Sequence, residues 1–486
     1  MLKFGTSGLR GLVTELTDKE CYLYTAAFLE YLSAQKLIKK NTAIAIAGDF
    51  RPSTQRITIA CITAIKDFGL TADYCGIIPT PAVSIYGFKR NIPSMMITGS
   101  HIPFDRNGIK FNLPKGEILK QDEQAITKIY LDLAAKDTFN HLFKKNGLIK
   151  KFIPLSKINT LARQEFIERY ISFFPAKFLK GKTIVVYQHS SVARDILVEI
   201  LEKLGAKVIP VGRSEKFIPI DTESIQVEVL KRAKAWAKKY RPDAIVSADG
   251  DGDRPVLFDE NGDFIRGDLL GIICAQYLEA DSVSATMSCN TALEKCRQFK
   301  KINRTKIGSP YVIEAMCADY KKGIRRAVSY EANGGFLTAG KIKLDGRFLE
   351  ALPTRDAILP ILGALSFSIG KKMTLSEVVK SYPERYVWTE TVKNFPTEIS
   401  QKIISRIAPE KKEAKKIAEK LFALPAKIDR IDYTDGARMF LTNGEIVHIR
   451  PSGNAPELRL YFETSTHEKA LKLAANTLKK VVKMKS

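Results

Sequence analysis

Short apolar runs rich in β-branched residues alternate with amphipathic stretches over most of the chain. The apolar runs predict β-strands at residues 42–47, 94–98, 183–187, 244–247, 283–287 and 326–329. The amphipathic stretches have the 3.6-residue period of a helix and predict helices at residues 19–33, 57–67, 164–174, 192–204, 224–239, 269–278 and 354–365. Because strands that alternate with helices form largely parallel or mixed sheets, this order predicts an α/β fold.

The last part of the sequence has a different order of elements. A helical pattern comes first, and strands are then predicted close together at residues 428–433, 437–441, 446–450 and 458–462. An amphipathic helix is predicted at residues 467–484. Strands joined by short connections pair antiparallel, so this part predicts an α+β domain with an antiparallel sheet.

Chain length and polar junctions together predict four domains. A chain of 486 residues exceeds the size at which a single hydrophobic core stops growing. Polar or glycine-containing junctions occur near residues 145–151, 253–255 and 370–372. We therefore predict three α/β domains with mixed sheets and a C-terminal α+β domain, at residues 1–150, 151–254, 255–371 and 372–486.

The charge of the chain favours anionic ligands without identifying one. Lys and Arg total 77 against 53 Asp and Glu, which gives a net charge of +24. Such an excess attracts nucleic acid, anionic lipid or phosphorylated small molecules. No basic stretch carries the interleaved aromatic residues of a nucleic-acid module, and lysines such as Lys411, Lys412, Lys415 and Lys416 are typical of a solvated helix face. We expect no nucleic-acid partner.

The cysteines and the hydrophobic runs indicate the compartment. The seven cysteines are odd in number and form no C-x-x-C pair, so we expect reduced thiols. The first residues lack the basic and apolar regions of a signal peptide, and no apolar run approaches the roughly 20 residues that span a bilayer. These features predict a cytoplasmic protein without a membrane partner.

The run Asp249-Gly250-Asp251-Gly252-Asp253-Arg254 follows a predicted strand and is the sharpest local signal. Three carboxylates at alternate positions, separated by glycines, can direct one oxygen each at a single hard cation, and Mg²⁺ is the expected ion. An EF-hand loop is an alternative, since Glu260 is the twelfth residue, but an EF-hand requires a preceding helix. A solvated acidic turn is the other alternative.

The run Thr98-Gly99-Ser100-His101-Ile102-Pro103 also follows a predicted strand. A serine on a glycine-flanked turn at the carboxyl end of a strand faces the crevice where open α/β sheets bind ligands. Ser100 therefore qualifies as a nucleophile or phosphoryl carrier, with His101 and Lys110 near enough in sequence to move protons or neutralise charge. No G-x-S-x-G elbow is present, which disfavours acyl transfer. The alternative is an ordinary polar turn.

The run Arg450-Pro451-Ser452-Gly453-Asn454 lies between two strands of the last domain. Its arginine offers a bidentate fork for phosphate, and the other residues supply further donors at close range. This is a candidate phosphate-binding loop, with a plain β-turn as the alternative.

The run Ser329-Tyr330-Glu331-Ala332-Asn333-Gly334-Gly335 follows another strand. Its carboxylate and amide suit sugar hydroxyls, because Glu accepts and Asn both donates and accepts hydrogen bonds. A structural loop is equally compatible with this run. Four such loops, each after a strand and each in a different segment, nevertheless predict four domains around a central cleft.

Together these loops resemble those of the α-D-phosphohexomutase superfamily, most closely its phosphomannomutase/phosphoglucomutase members. The resemblance runs from Phe4 to the C-terminal helix. The opening Phe4-Gly5-Thr6-Ser7-Gly8-Leu9-Arg10-Gly11 is similar to the N-terminal motif of the family, in which an arginine, here Arg10, faces the active site. The run Lys306-Ile307-Gly308-Ser309 is similar to a loop of the third domain usually written Lys-Thr-Gly.

The resemblance implies roles for the motif residues. Ser100 carries the phosphoryl group, Arg10 faces it, and Lys110 and His101 are candidates for acid and base. Mg²⁺ is held by Asp249, Asp251, Asp253 and a phosphoserine oxygen. The substrate is bound by Arg254, Lys306, Glu331, Asn333, Gly334, Arg450, Ser452, Gly453 and Asn454. Asn333 and Gly335 stand where many members have serine and histidine.

The resemblance also implies the reaction. Ser100 passes its phosphoryl group to a hexose phosphate, and the hexose 1,6-bisphosphate intermediate, which also serves as activator, returns its other phosphate. Mannose phosphate is the preferred substrate, then glucose phosphate alone or with mannose. Glucosamine phosphate ranks third, because its branch has Asp at the position of Ser7 and Ala at that of Gly252. A non-catalytic phosphosugar or nucleic-acid binding protein is the remote alternative, and the chain is a monomer or a dimer.

Overall fold

The protein forms two compact units. A computed structural model describes residues 2–5, 8–151, 153–411, 413–452 and 456–484. The first unit comprises Met1–Val283 and Gly308–Val379, and the second comprises Ser284–Ile307 and Lys380–Ser486. Within the described residues no helix is long and apolar enough to cross a membrane.

The N-terminal region of the first unit is a mixed sheet covered by helices. Its strands are β1 (Lys3–Phe4), β2 (Leu9–Leu12), β3 (Ala43–Gly48), β4 (Thr71–Ile77), β5 (Ser94–Ile97), β6 (Arg106–Leu113) and β7 (Gly116–Glu117). Its helices are α1 (Asp18–Ala34), α2 (Thr54–Asp67), α3 (Thr80–Arg90) and α4 (Lys120–Ala134), with a 3-10 helix at Asp137–Leu142. The strand order is β1-β2-β6-β5-β3-β4, with β7 beside β6. Strand β3 is parallel to β4 and β5, whereas β6 is antiparallel to β5 and β2.

The next region has a second mixed sheet, in the order β12-β11-β10-β8-β9. Its strands are β8 (Thr183–His189), β9 (Lys207–Arg213), β10 (Ala244–Ala248), β11 (Pro255–Phe258) and β12 (Phe264–Ile265). Its helices are α5 (Leu161–Phe173), α6 (Arg194–Lys203) and α7 (Val227–Tyr240). Strand β8 is parallel to β9 and β10, and β11 is antiparallel to β10 and β12.

The third region again alternates strands with helices. Its strands are β13 (Ser282–Thr286), β14 (Lys301–Thr305), β15 (Ala327–Tyr330), β16 (Phe336–Thr338), β17 (Ile342–Leu344), β18 (Arg347–Leu349) and β19 (Leu352–Asp356). Its helices are α8 (Gly267–Tyr277), α9 (Ala292–Lys295), α10 (Ser309–Lys321), α11 (Ile358–Lys371) and α12 (Leu375–Lys380). In the first unit, β16 pairs antiparallel with β15 and β19, and β17 and β18 form a hairpin.

The C-terminal part of the second unit is an antiparallel sheet in the order β20-β24-β23-β22-β21. Its strands are β20 (Tyr386–Lys393), β21 (Ile428–Asp432), β22 (Ala437–Leu441), β23 (Ile446–Pro451) and β24 (Glu457–Thr464). Its helices are α13 (Thr397–Arg406), α14 (Ala414–Phe422) and α15 (His467–Lys483). Helix α15 begins after Thr466, whose hydroxyl accepts a hydrogen bond from the backbone N–H of Lys469, and it buries Leu473 and Val481 in the core of this sheet.

The predicted fold class, three α/β regions with mixed sheets and a C-terminal α+β region, is confirmed. The helix predicted at 354–365 was wrong at its start, because Thr354 to Asp356 extend β19. The Asp356 carboxylate accepts hydrogen bonds from the backbone N–H groups of Ile358 and Leu359, which sets the beginning of α11. The four domain boundaries stay predictions.

Candidate active site

Two parallel strands bring Asp49 and Ser100 together at the edge of the N-terminal sheet. Strand β3 ends one residue before Asp49, and β5 ends three residues before Ser100. The Thr98 hydroxyl donates a 2.7 Å hydrogen bond to the Asp49 carboxylate and accepts one from the backbone N–H of Ser100, also at 2.7 Å. The serine loop is therefore fixed to the end of β3, where open α/β sheets bind ligands.

The backbone of Ser100 has a left-handed conformation. Its φ angle is +53°, a region that costs an ordinary residue about 1–2 kcal/mol. The residue is 4% exposed. The surrounding hydrogen bonds hold the residue in this conformation, as is common at functional sites.

The triple-aspartate loop follows β10 and folds around its first member. The Asp249 carboxylate accepts hydrogen bonds from the backbone N–H groups of Asp253 and Arg254, both at 3.2 Å. Gly252 has a φ angle of +70°, which a side chain would strain. The carboxylates of Asp249, Asp251 and Asp253 each offer one oxygen, and these three oxygens lie within 4.8 Å of one another.

The serine and aspartate loops meet directly. The Ser100 hydroxyl donates a 3.0 Å hydrogen bond to the Asp249 carboxylate. Gly250 permits this approach, because a Cβ atom there would come within 3.0 Å of the Ser100 carbonyl oxygen and 2.9 Å of the Phe217 ring. Residues 149 positions apart are thus brought together.

Lys110 and Thr80 hold the other two aspartates. The Lys110 ammonium donates to Asp251 at 2.6 Å and to Asp253 at 2.5 Å, and its side chain is buried. Thr80, at the start of α3, donates a 2.5 Å hydrogen bond to Asp251. Sequence reasoning found Lys110 but missed Thr80, which no motif marks.

The three carboxylates differ in their readiness to ionise. Burial, together with the neighbouring charges of Asp251 and Asp253, raises the pKa of Asp249 well above its ordinary value. Burial also opposes ionisation of Asp251, but the Lys110 ammonium outweighs it and holds the pKa of Asp251 well below its ordinary value. The positive charge of a further cation beside the cluster would oppose the repulsion among these carboxylates and so favour ionisation of Asp249.

The cluster has the donors that a divalent cation requires. One buried oxygen of Asp251 and one of Asp253 have no hydrogen-bond partner among the described residues. Buried carboxylate oxygens without hydrogen bonds are costly unless a cation binds them, and hard oxygen donors suit Mg²⁺. The EF-hand alternative was wrong, because a strand precedes the loop and Glu260 accepts hydrogen bonds from the backbone N–H and hydroxyl of Ser376.

Cationic and imidazole groups surround Ser100. His101 has a ring nitrogen 3.5 Å from the Ser100 hydroxyl. The positive charge of Arg254, followed by burial, holds the pKa of the His101 imidazole far below its usual range, so the ring is neutral at pH 7. The buried Nε of Arg254 has no hydrogen-bond partner among the described residues, although it lies 3.8 Å from an Asp253 carboxylate oxygen. An oxyanion is the natural partner for such a group.

Arg10 lies on β2 beside the same charges. Burial lowers the pKa of its guanidinium to about 10, so Arg10 remains protonated at pH 7. A Cβ atom on Gly108 would come within 2.5 Å of the Arg10 guanidinium, so the glycine leaves room for this side chain. The negative charge of Asp251 opposes this lowering of the Arg10 pKa.

The loop from Glu331 to Gly335 joins this cluster through Arg355. Arg355 donates to Asp253 at 3.0 and 3.1 Å and to Glu331 at 2.9 Å. A Cβ atom on Gly335 would come within 2.5 Å of the Arg355 side chain, so glycine at this position accommodates the arginine. Sequence reasoning missed Arg355, because the pattern there predicted the start of a helix rather than the end of a strand.

Asn333 and Gly334 shape this loop. The Asn333 side-chain oxygen accepts a 3.0 Å hydrogen bond from the N–H of Gly335, and its backbone carbonyl accepts one from the Thr222 hydroxyl at 2.9 Å. Gly334 has a φ angle of +85°. Asn333 therefore supports the turn that presents Glu331, and the rest of its predicted role stays a prediction.

The second unit contains the candidate phosphate-binding residues. Arg450 is the last residue but one of β23, and its Nε lies 2.8 Å from the carboxylate of Asp435, a residue that the sequence analysis missed. The same Asp435 oxygen accepts a 2.9 Å hydrogen bond from the backbone N–H of Ile307, next to the exposed Lys306. Ser452 is buried, and its backbone N–H donates a hydrogen bond to the backbone carbonyl of Glu457. Gly453 and Asn454 lie outside the described residues.

The comparisons with known proteins agree along the whole chain. Family models described as phosphoglucomutase/phosphomannomutase match α/β/α domain I at residues 1–137, domain II at 164–262, domain III at 266–386 and the C-terminal domain at 404–480. A phosphomannomutase from Sinorhizobium fredii (strain NBRC 101917 / NGR234) is 43% identical over 476 residues, covering 98% of each chain. A phosphomannomutase from Salmonella muenchen is 40% identical, covering 99% of this chain and 95% of the relative.

The fold has a close counterpart among solved structures. A crystal structure of a phosphoglucomutase/phosphomannomutase family protein from Burkholderia thailandensis gives a TM-score of 0.76, covering 99% of this chain and 97% of the other. The sequence identity is 17%, so this likeness concerns the fold.

Proposed function

The chain belongs to the phosphoglucomutase/phosphomannomutase family, and on this premise we propose that it is a phosphomannomutase. It interconverts mannose 6-phosphate and mannose 1-phosphate through a phosphoserine at Ser100. The observation that carries the proposal is the 3.0 Å hydrogen bond from the Ser100 hydroxyl to Asp249 of the aspartate cluster. A phosphoryl carrier beside carboxylates that can bind a divalent cation is the arrangement that phosphoryl transfer requires.

The reaction has two balanced transfers. The phosphoserine P–O bond breaks as a sugar hydroxyl forms a new P–O bond, the hydroxyl proton passes to a base, and Ser100 regains a proton. The product is a hexose 1,6-bisphosphate, which also serves as activator of an unphosphorylated enzyme. In the second transfer the other phosphate of this intermediate returns to Ser100 and releases the isomeric monophosphate.

The proposed cofactor is Mg²⁺, held by Asp249, Asp251, Asp253 and an oxygen of the phosphoserine. When bound, Mg²⁺ supplies positive charge that offsets the charge developed during phosphoryl transfer. Lys110 and His101 are the proposed acid and base, because Lys110 reaches the aspartates that surround the carrier and the neutral His101 ring adjoins Ser100. Arg10 and Arg254 place permanent positive charge near the transferred group.

The substrates are small hexose phosphates. Glu331 is proposed to accept hydrogen bonds from sugar hydroxyls, with Asn333 and Gly334 shaping its loop. Arg450, Ser452, Gly453, Asn454 and Lys306 are proposed to bind the phosphate that does not react. The two relatives described above, at 43% and 40% identity, are both named phosphomannomutases, which supports mannose phosphate over glucose phosphate or dual use.

A coupled assay tests this proposal. Turnover of mannose 1-phosphate and glucose 1-phosphate is compared at equal concentrations, with Mg²⁺ and hexose 1,6-bisphosphate present. We expect a higher kcat/KM for mannose 1-phosphate and loss of both activities when EDTA removes divalent ions. Equal or better turnover of glucose 1-phosphate would make the enzyme a phosphoglucomutase or a bifunctional one, and binding without turnover would leave a phosphosugar-binding protein.

A further inference from the structure

We propose that Arg51 is a positioning residue that holds the serine loop in its transfer-ready conformation. This inference rests on the proposed function, in which Ser100 is the phosphoryl carrier. Arg51 stands just after Asp49 and Phe50, at the end of β3, and its side chain is completely buried. None of the sequence motifs includes it.

The guanidinium of Arg51 binds the loop at four backbone carbonyls. One terminal nitrogen donates to the carbonyl oxygens of Ser100 at 2.7 Å and Ile102 at 2.6 Å. The other donates to those of Pro103 at 2.6 Å and Arg106 at 2.9 Å. The Nε donates to Asp49 at 3.1 Å. A guanidinium has five N–H donors in a rigid fork, and here all five are engaged by the protein. Arg51 is thus occupied by the loop and has no donor left for a substrate phosphate.

One of the four carbonyls bound by Arg51 belongs to Ser100, the loop residue with the left-handed backbone. Ser100 has a φ angle of +53°, and its carbonyl oxygen accepts the 2.7 Å hydrogen bond from Arg51. Gly99 is compatible with this contact because it lacks a side chain, since a Cβ atom there would come within 2.6 Å of the guanidinium carbon. The arginine therefore stabilises the conformation that directs the hydroxyl of Ser100 at Asp249.

Phe217 connects this clamp to the aspartate loop. The guanidinium carbon of Arg51 lies 4.0 Å from the centre of the Phe217 ring. The edge of the same ring adjoins Gly250, where a Cβ atom would come within 2.9 Å of it. One aromatic ring thus touches both the group that holds the serine loop and the loop that carries the metal-binding carboxylates.

The test compares Arg51→Lys with Arg56→Lys. Arg56 is a matched control. It also donates hydrogen bonds to a carboxylate, that of Asp18, and to two backbone carbonyls, those of Val13 and Leu16. None of these groups belongs to the serine loop. Lysine cannot bind four carbonyls, and misplacing a reacting group by an ångström costs about 100-fold in rate. We expect kcat for mannose 1-phosphate to fall by about that factor in Arg51→Lys, with little change in KM, and to stay near wild type in Arg56→Lys.

Amide hydrogen exchange supplies a readout that does not depend on turnover. In the unsubstituted protein the N–H groups of Ser100, Ile102 and Arg106 are hydrogen-bonded within the loop. We expect faster exchange in the peptide covering residues 98–110 for Arg51→Lys, and unchanged exchange there for Arg56→Lys. This comparison still decides the proposal if the wild-type protein turns over no hexose phosphate, a result that would overturn the proposed function alone.

Two further variants keep the test decisive. Arg51→Ala leaves a guanidinium-sized gap, so millimolar guanidinium chloride should restore part of its kcat, whereas methylammonium should not. Phe217→Leu replaces this variant in the test if Arg51→Ala does not fold. It keeps the arginine but removes the ring, and we expect a smaller fall in kcat than in Arg51→Lys. The proposal is overturned if Arg51→Lys keeps the wild-type kcat and exchange pattern, or if its defect lies in KM alone.

Discussion

The transfer site of the first unit and the phosphate-binding candidate of the second differ in how their charges are supported. Around Ser100, buried ion pairs join Lys110 to Asp251 and Asp253, and join Arg355 to Asp253 and Glu331. In the second unit, the Arg450 side chain is 13% exposed, and its ion pair within the described part of the chain is with the Asp435 carboxylate. The first site is cross-linked from several elements, whereas the described residues of the second site contribute one such pair, Arg450 with Asp435, beside a loop.

This difference follows from what each site is proposed to do. Phosphoryl transfer depends on charges held in fixed positions, because reorganising them during the reaction would raise the barrier. Binding a phosphate that does not react requires only affinity for a dianion. Substitutions in the first unit should therefore reduce kcat, and substitutions at the phosphate-binding candidate should raise KM.

The largest effect is expected for Ser100→Ala. Removing the hydroxyl removes the phosphoryl carrier, so kcat for mannose 1-phosphate should fall by about 10⁴-fold or more. Substrate binding measured by calorimetry should persist, because the groups proposed to bind the substrate are unchanged. Ser172→Ala, on α5, is the control and should keep full activity. A Ser100→Ala enzyme that retains turnover would show that the two sites do not divide their roles as proposed.

The next effect is on stability rather than turnover, and it concerns the second unit. Glu463 on β24 pairs with Arg385 at 2.7 Å and with Arg438 at 3.2 Å, and it accepts hydrogen bonds from the backbone N–H and hydroxyl of Thr291. Removing one partner of a buried ion pair costs about 3 kcal/mol or more. Glu463→Gln should therefore lower the free energy of unfolding at neutral pH by about 3 kcal/mol.

The pH dependence of this loss has a definite sign. Burial opposes ionisation of Glu463, but Arg438 and Arg385 outweigh it and lower the pKa in the folded protein. The stability from this carboxylate is thus present above its unfolded pKa of about 4.3 and is lost as the pH falls through the folded pKa. The difference between wild type and Glu463→Gln should shrink below about pH 4. The exposed Glu398→Gln is the control, and a difference independent of pH would contradict the assignment.

Sequence patterns predicted the fold class and the loops around Ser100 and Asp249 because these features are local. A strand followed by glycine and polar residues can be recognised from about ten consecutive residues of the sequence. Arg355 and Asp435 were missed because their importance arises from partners distant in sequence or from a strand end that resembled a helix start. Arg51 was missed for the same reason, since its partners at residues 100–106 are about 50 positions away. Burial and charge pairing across elements leave no local pattern.

A smaller effect is expected for Arg450→Met. Methionine keeps much of the apolar stem but removes the charge and the donor fork. A hydrogen bond to a charged group contributes about 1.5–3 kcal/mol, so KM for mannose 1-phosphate should rise by about 10- to 100-fold. The value of kcat should change far less, which steady-state kinetics at saturating substrate can measure. Arg459→Met, on β24, is the matched control. A fall in kcat with unchanged KM would place Arg450 in the transfer step instead.

The smallest effect is expected for Asp435→Asn. The carboxylate lies 2.8 Å from the Arg450 Nε and also accepts the backbone N–H of Ile307, so it orients the arginine and tethers the loop that contains Lys306. Asparagine keeps an acceptor for the N–H but loses the charge that orients Arg450. We expect KM to rise by about three- to tenfold, equivalent to ~0.7–1.4 kcal/mol, with kcat unchanged.

A double-mutant cycle separates this orienting role from a general effect of charge. If Asp435 acts through Arg450, the substitution Asp435→Asn should add little to KM once Arg450 is already methionine. The exposed Asp429→Asn, on β21, changes the net charge equally and should leave KM unaltered. Asp435→Ala also removes the acceptor for the Ile307 N–H, so its excess over Asp435→Asn measures the tether. Full additivity of the effects of Asp435→Asn and Arg450→Met on KM would mean that the two residues bind phosphate independently. The second site would then differ from the cross-linked site around Ser100 in function as well as in structure.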